Sequence, residues 1–216
     1  ACLAQAAMLE QTKTATAPEA PAVAKQIATL RKQAGTYFTH ANDLLALAED
    51  AATIRNIYLA EQAHCHLHVC HVSTAKCIDA IRTAKKTQNI TCEVTPHHLS
   101  LTGTKAPHLF DIVNPPLRNE SDRLSLIAAL SDGTVDVIAT DHAPHTAQDK
   151  AAGSPGFSGI ETSFSVCNTT LVKENNFSLK KLSALLSANA ATLLGLKKRG
   201  LIEQGFSADL VLVDPN

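Results

Sequence analysis

Residues 137–145, Val-Ile-Ala-Thr-Asp-His-Ala-Pro-His, decide how the rest of the chain is read. Four strand-forming or small residues stop abruptly at Asp141, and His142 and His145 follow within four positions. An apolar run of this length between polar and Pro residues reads as a fully buried strand. A carboxylate and two imidazoles at its end are costly to bury unless a metal or a substrate engages them. In α/β folds, ligands gather at the C-terminal ends of parallel strands. The segment therefore points at an active site.

Working outward, the same alternation recurs. His64–Val72 is strand-like, and Ser73-Thr74 can cap a helix to about Lys86. Ile90–Thr95 is a strand that stops at Pro96, and Ser121–Leu130 is helical up to Asp132-Gly133. Val135–Thr140 is the next strand, 141–158 a Gly/Pro loop, and two or three helices fill 159–198. Upstream, the opening to about Thr16 reads as a helix and Thr14–Pro21 as a linker. Pro21–Gln33 reads as a helix ended by Gly35, and Thr36–Thr39 as a β-like run closing on His40. Asn42 or Asp43 then caps a helix to about Gln62, and Asp209–Val213 forms a last short strand. Strands alternating with helices mean βαβ units and a parallel sheet with its C-terminal ends on one face. The division expected is a helical segment over 1–35, a barrel portion carrying the site over 36–200, and a return strand over 201–216.

Composition narrows the function. Nineteen basic and twenty acidic residues leave no basic block for nucleic acid or an anionic membrane surface. No stretch approaches the ~20 apolar residues of a membrane span. The start, Ala-Cys-Leu-Ala-Gln, lacks both Met and the basic n-region of a signal peptide. Six cysteines without a CxxC pair predict free thiols in a reducing, cytoplasmic setting.

Of ten histidines, six lie between residues 64 and 98. His64, His66 and His68 resemble an HxHxH metal motif, but strand alternation puts them on one face with Cys70. The other face carries Cys65, Leu67, Val69 and His71. The apolar set is expected to face the core or barrel interior, which makes His71 the inward ligand candidate and sets His68 against the helix layer. Asp141 can both ligate a metal and accept a proton from metal-bound water, whose pKa falls to ~7. His145, beyond the turn at Pro144, suits a substrate contact. Of His97 and His98, one can reach the site while the other orients the loop. The rigid Asn114-Pro115-Pro116 stretch can present Asn114 to a polar substrate. Arg118, Lys85-Lys86, His108 and Lys197–Arg199 read as helix-side or solvated charge, and Gly153–Gly159 as a loop over the mouth or simple slack.

His-Val-Ser-Thr-Ala (71–75), Glu-Val-Thr-Pro-His-His-Leu (93–99), Asn-Pro-Pro-Leu-Arg (114–118) and Ala-Thr-Asp-His-Ala-Pro-His (139–145) resemble, in order, the motifs of bacterial-type dihydroorotases of the amidohydrolase superfamily. Residues 155–162 and 207–212 are similar to that family's later loop and return strand. The resemblance implies the C-terminal part of a zinc-dependent (β/α)8 barrel that interconverts N-carbamoyl-L-aspartate and dihydroorotate in pyrimidine biosynthesis. It implies one or two zinc ions held by His71 and Asp141, with Asp141 as the catalytic proton acceptor. Asn114 and His145 would contact the substrate, and the backbone at Pro155-Gly156 would border its ring.

The family's HxHxR strand and its bridging carboxylate or carboxylated lysine have no counterpart here, while His40 can stand for a further metal histidine. A full barrel takes about 250 residues, so the chain is expected to be the C-terminal part of a longer polypeptide, poorly active alone. Sister readings are an allantoinase- or hydantoinase-like cyclic amidase, or an inactive homologue that assembles with a partner. A homodimer or an association with aspartate transcarbamoylase is the partner expectation.

Overall fold

A computed structural model describes residues 20–103 and 112–214. The expected helix before Thr16, Cys2 and His108 lie outside the described residues. Three strands form one parallel sheet in the order β1 (Leu67–Val69), β2 (Ile90–Val94), β3 (Val137–Ile138). Helix α1 (Ala20–Ala63) precedes β1, and α2 (Ala75–Ala84) joins β1 to β2. Short α3 (Pro96–Ser100) and α4 (Glu120–Asp132) join β2 to β3. After β3 come α5 (Ala147–Ala151), α6 (Ser163–Cys167) and a π-helical stretch, Asn168–Lys173. A second π-helical stretch, Ala184–Ala188, separates α7 (Leu179–Ser183) from α8 (Asn189–Leu193).

The helix starts are set by side chains that the sequence shows. Thr74 caps α2 by accepting from the Cys77 amide, and Asn119 caps α4 by accepting from the Asp122 amide. Gly133 ends α4 at φ 82°, a left-handed conformation that glycine adopts without strain. Between helices and sheet lies one core: Val72, Ile78 and Ile81 from the first unit, Cys92 and Val94 from β2, Leu126 and Leu130 from α4, and Leu171 and Leu182 beyond. Each fully buried aliphatic side chain contributes about 1.5–3 kcal/mol.

Register places Leu67 opposite Ile90 and Val69 opposite Cys92, and these four residues pack on the helix side. His68, Thr91 and Glu93 therefore occupy the opposite face. This reverses the facing expected for β1: the apolar set serves the helix layer, and His68 looks away from it. The reason is that the helices supply the larger apolar surface here, so Leu67 and Val69 turn towards them.

Upstream, the expected break fails altogether. Thr36–Thr39 is helical, Gly35 ends no helix, and α1 runs unbroken through Ala63. An interior glycine costs only about 1 kcal/mol, and four β-prone residues gain nothing without a strand to pair with. Thr29 and Thr36 bond back to the carbonyls of Lys25 and Lys32, which satisfies their hydroxyls within the helix. Asn42 is no cap either. It sits inside α1 and donates through Nδ2 to the Leu117 carbonyl at 3.2 Å.

That contact belongs to a buried polar clamp centred on Arg118. Its Nε donates to Ser73 Oγ at 2.9 Å, Nη1 to Asn42 Oδ1 at 2.9 Å, and Nη2 to Glu49 Oε2 at 2.9 Å. Glu49 in turn accepts from the Ser73 amide at 2.8 Å and from the Ser73 hydroxyl. Next to it, Thr74 Oγ1 donates to Asp50 Oδ1 at 2.6 Å. The expected helix-side role for Arg118 gives way to that of a bolt joining α1, the start of α2 and the 114–118 stretch. At the other end, 209–213 forms no strand, and Leu210, Val211 and Leu212 are exposed.

Candidate active site at the strand ends

Each strand delivers a polar residue at its C-terminal end: His71 after β1, His97 and His98 after β2, and Asp141 after β3. His71 has φ 40° and Asp141 has φ 47°. For non-glycine residues such left-handed backbone costs of order 1–3 kcal/mol, and it clusters at functional sites. The turn at His71 also frees its direction from the strand alternation. Both residues are half-buried.

Of the two roles left open for His97 and His98, the loop-orienting one falls to His98. His98 is buried, and its Nε2 lies 3.0 Å from the Pro115 carbonyl, so that nitrogen carries the proton. Its Nδ1 then accepts from Thr95 Oγ1 at 2.7 Å. This pins the 114–118 stretch, where the Asn114–Pro115 bond is cis and Asn114 is exposed at the rim. His97 is equally buried, packs edge-on against Phe157 at 5.3 Å between centroids, and leaves Nε2 without a hydrogen-bond partner among the described residues. Burial drives the pKa of His97 down to about 3, helped by the neighbouring His98 and His71 charges. Burial likewise lowers His98 to about 4. Both rings are neutral at pH 7. Cys70 has its pKa raised by burial first and then by the charges of Glu93 and Asp141, which gives this edge a negative local field.

The segment after β3 folds back on itself. The Ala143 amide donates to the Phe157 carbonyl at 2.9 Å, and His145 Nε2 donates to the Pro155 carbonyl at 2.9 Å. Buried Lys150 donates to the carbonyls of Ile112 and Gly156 at 2.9 and 3.1 Å. His145, Pro155 and Gly156 are thus brought together. Gly156 sits at φ 141°, and a Cβ there would lie 2.6 Å from the Ala143 carbonyl oxygen and 3.2 Å from the His145 ring. Gly156→Ala is expected to cost about 1–3 kcal/mol and to displace His145. A lowered melting temperature together with a shifted His145 imidazole resonance would show it. An unchanged resonance would mean that the loop absorbs the methyl elsewhere.

His40 does not join the site; it is exposed on α1. Among the described residues no third His, Cys, Asp or Glu forms a donor cluster with His71 and Asp141. An imidazole and a carboxylate are suitable zinc donors, but a catalytic zinc takes three protein ligands. Both are donor types that zinc takes, and among the described residues they do not complete a site. Arg118 and Lys150 were not singled out for the site: Arg118 closes the Asn-Pro-Pro-Leu-Arg motif but reads as helix-side charge, and Lys150, between Asp149 and Ala151, carries no local signal.

A parallel sheet with helices on one side and His, His and Asp at successive strand ends defines a portion of an α/β-barrel enzyme. The Amidohydrolase family profile matches residues 18–216, and the chain belongs to that family. It is 48% identical over 171 residues to a dihydroorotase of Clostridium botulinum, covering 79% of this chain and 42% of that protein. A dihydroorotase of Lactobacillus delbrueckii subsp. bulgaricus is 44% identical over 176 residues, with 78% and 41% covered. Among solved structures, the dihydropyrimidinase from Brevibacillus agri superposes with a TM-score of 0.72 at 29% identity, over 76% of this chain and 39% of that one. The L-hydantoinase from Arthrobacter aurescens gives 0.67 at 28%, over 74% and 38%. The chain spans about two fifths of the length of these relatives. Its three strands are part of the metal-dependent (β/α)8 barrel of the family, and the sheet face bearing His68 and Glu93 is the barrel interior.

Proposed function

We propose that this chain carries the C-terminal half-site of a zinc-dependent dihydroorotase, which interconverts N-carbamoyl-L-aspartate and dihydroorotate in the reducing cytoplasm. The observation that carries the reading is the pair of left-handed residues, His71 and Asp141, at two strand ends of one sheet. The 48% identity to a dihydroorotase supports it.

His71 and Asp141 would hold zinc together with ligands from outside the described residues. Bound zinc supplies a low-pKa water and polarises the amide carbonyl. The Asp141 carboxylate takes the proton of the attacking water and returns it to the departing ring nitrogen. With Nε2 of His145 committed to the Pro155 carbonyl, Nδ1 is left to meet a substrate carboxylate, as a donor when the ring is protonated. Asn114, at the rim on a stretch pinned by His98, offers amide donor and acceptor to the ring. The backbone at Pro155-Gly156 closes its edge, and the buried neutral His97 keeps charge away from the floor.

The test is a chimera in which the chain follows the portion of the Clostridium botulinum dihydroorotase that it does not cover. Hydrolysis of dihydroorotate, with kcat/KM lowered at least about 10²-fold by Asp141→Asn, is the expected result. Turnover of hydantoin or dihydrouracil in place of dihydroorotate would transfer the reading to the hydantoinase branch, whose structures this chain also resembles. A folded, zinc-loaded chimera that hydrolyses none of them would overturn the assignment.

A further inference from the structure

We propose that His68, Cys70 and Glu93 form a second binding site, for a zinc-class divalent cation, on the sheet face that looks away from the helices. Their candidate donor atoms all lie within 4.8 Å of one another, and His68 Nε2 is 3.1 Å from Glu93 Oε2. A tetrahedral ion with bonds of 2.0–2.3 Å holds its ligands roughly 3.3–3.8 Å apart, so small rotations of exposed Cys70 and half-buried Glu93 close the site. One nitrogen, one sulfur and one carboxylate leave a fourth position open, and the thiolate selects zinc-class ions over magnesium or calcium.

The orientation of the His68 ring is the second observation. Its Nδ1 lies 2.8 Å from Thr91 Oγ1, and the same hydroxyl lies 2.8 Å from His66 Nε2. Nε2–H of His68 donates to the Glu93 carboxylate, so the Thr91 hydroxyl donates to His68 Nδ1 and accepts from His66; a cation at Nε2 would displace that one proton while Thr91 goes on holding the ring through Nδ1. A ligating imidazole is characteristically fixed in this way through its other nitrogen. A simple His68–Glu93 ion pair would account for two of the residues but not for the Cys70 sulfur beside them. The cluster shares no residue with His71 and Asp141. Cys70 and His71 are consecutive, so the end of β1 would carry ligands to two separate ions.

Cobalt titration of the 216-residue chain, with Cys2 and Cys65 replaced by serine, tests the proposal. A thiolate-to-cobalt charge-transfer band is expected, saturating at one equivalent and surviving His71→Asn combined with Asp141→Asn. Cys70→Ser should abolish the band, and Thr91→Val should weaken cobalt binding by roughly 10- to 100-fold. Should Cys70→Ser not fold, as judged by circular dichroism, Glu93→Gln replaces it, with an expected loss of at least about tenfold in affinity. A band that is absent from the folded parent, persists in Cys70→Ser, is untouched by Glu93→Gln, or disappears with His71→Asn and Asp141→Asn would overturn it. Because that double variant removes the catalytic donors, failure here and failure of the dihydroorotase reading are separate results.

Discussion

Between pH 6.5 and pH 4.5 the folded chain is expected to lose about 5 kcal/mol of stability through His97 and His98 alone. An unfolded histidine titrates near 6.5, whereas burial holds these two at about 3 and about 4. Above about pH 7.5 both are neutral in either state, and the full stability is present. As pH falls below 6.5, the unfolded chain takes up two protons that the folded chain refuses. Stability therefore falls with a slope approaching about 2.7 kcal/mol per pH unit. Near pH 4 the folded His98 ring is half charged, and from there the slope relaxes. A loss of this size is a large fraction of the 5–15 kcal/mol typical of a domain. Urea denaturation midpoints measured in half-unit steps from pH 7.5 to 4.5 give the slope directly. His97→Phe should halve it. It also removes a buried nitrogen that has no partner among the described residues, so the variant should be no less stable than the parent at pH 7. A midpoint independent of pH over this range would show that the rings are not held neutral.

The second large effect lies at Arg118. Replacing it with alanine is expected to cost about 3–5 kcal/mol, because Glu49 would remain as a largely buried charge without its partner. The same change leaves Asn42 only its bond to the Leu117 carbonyl on the 114–118 stretch, and leaves Ser73 bonded only to Glu49. Arg118→Lys should recover little, since one ammonium cannot reproduce the fork that reaches three acceptors on two elements. A double-mutant cycle with Glu49→Gln separates the pair from the rest of the clamp: a coupling near zero would show that the arginine acts only through Ser73 and Asn42. Proteolysis within α1 should also accelerate in the alanine variant, because the clamp adds to the Thr74–Asp50 bond in fastening that helix to the βα unit.

Much of this architecture was legible wherever local chemistry and tertiary context agree. Ile90–Val94 alternates apolar and polar residues and is bounded by Pro96; α4 has Asn119 at one end and Gly133 at the other. The placing of His71 and Asp141 beyond strand ends was readable because each apolar run stops just before them. What failed did so for lack of information about partners. Thr36–Thr39 has the composition of a strand, but strand formation needs a neighbour, and helix continuation does not. The facing of β1 could not be read from alternation, which gives two sets of residues without saying which one meets the helices. The 209–213 run, Asp-Leu-Val-Leu-Val, is apolar and β-prone and still pairs with nothing among the described residues. Arg118 looked like surface charge because its acceptors, Asn42, Glu49 and Ser73, lie 45 to 76 positions away in sequence.

The unbroken α1 has a practical optical consequence. The chain contains two tyrosines and no tryptophan, and both Tyr37 and Tyr58 sit on this one helix, 69% and 60% exposed. Intrinsic ultraviolet emission therefore reports on α1 and is nearly blind to the sheet and its core. An acid or urea transition followed by tyrosine emission and by far-ultraviolet dichroism need not coincide, and their separation would time the peeling of the helix against the collapse of the βα body.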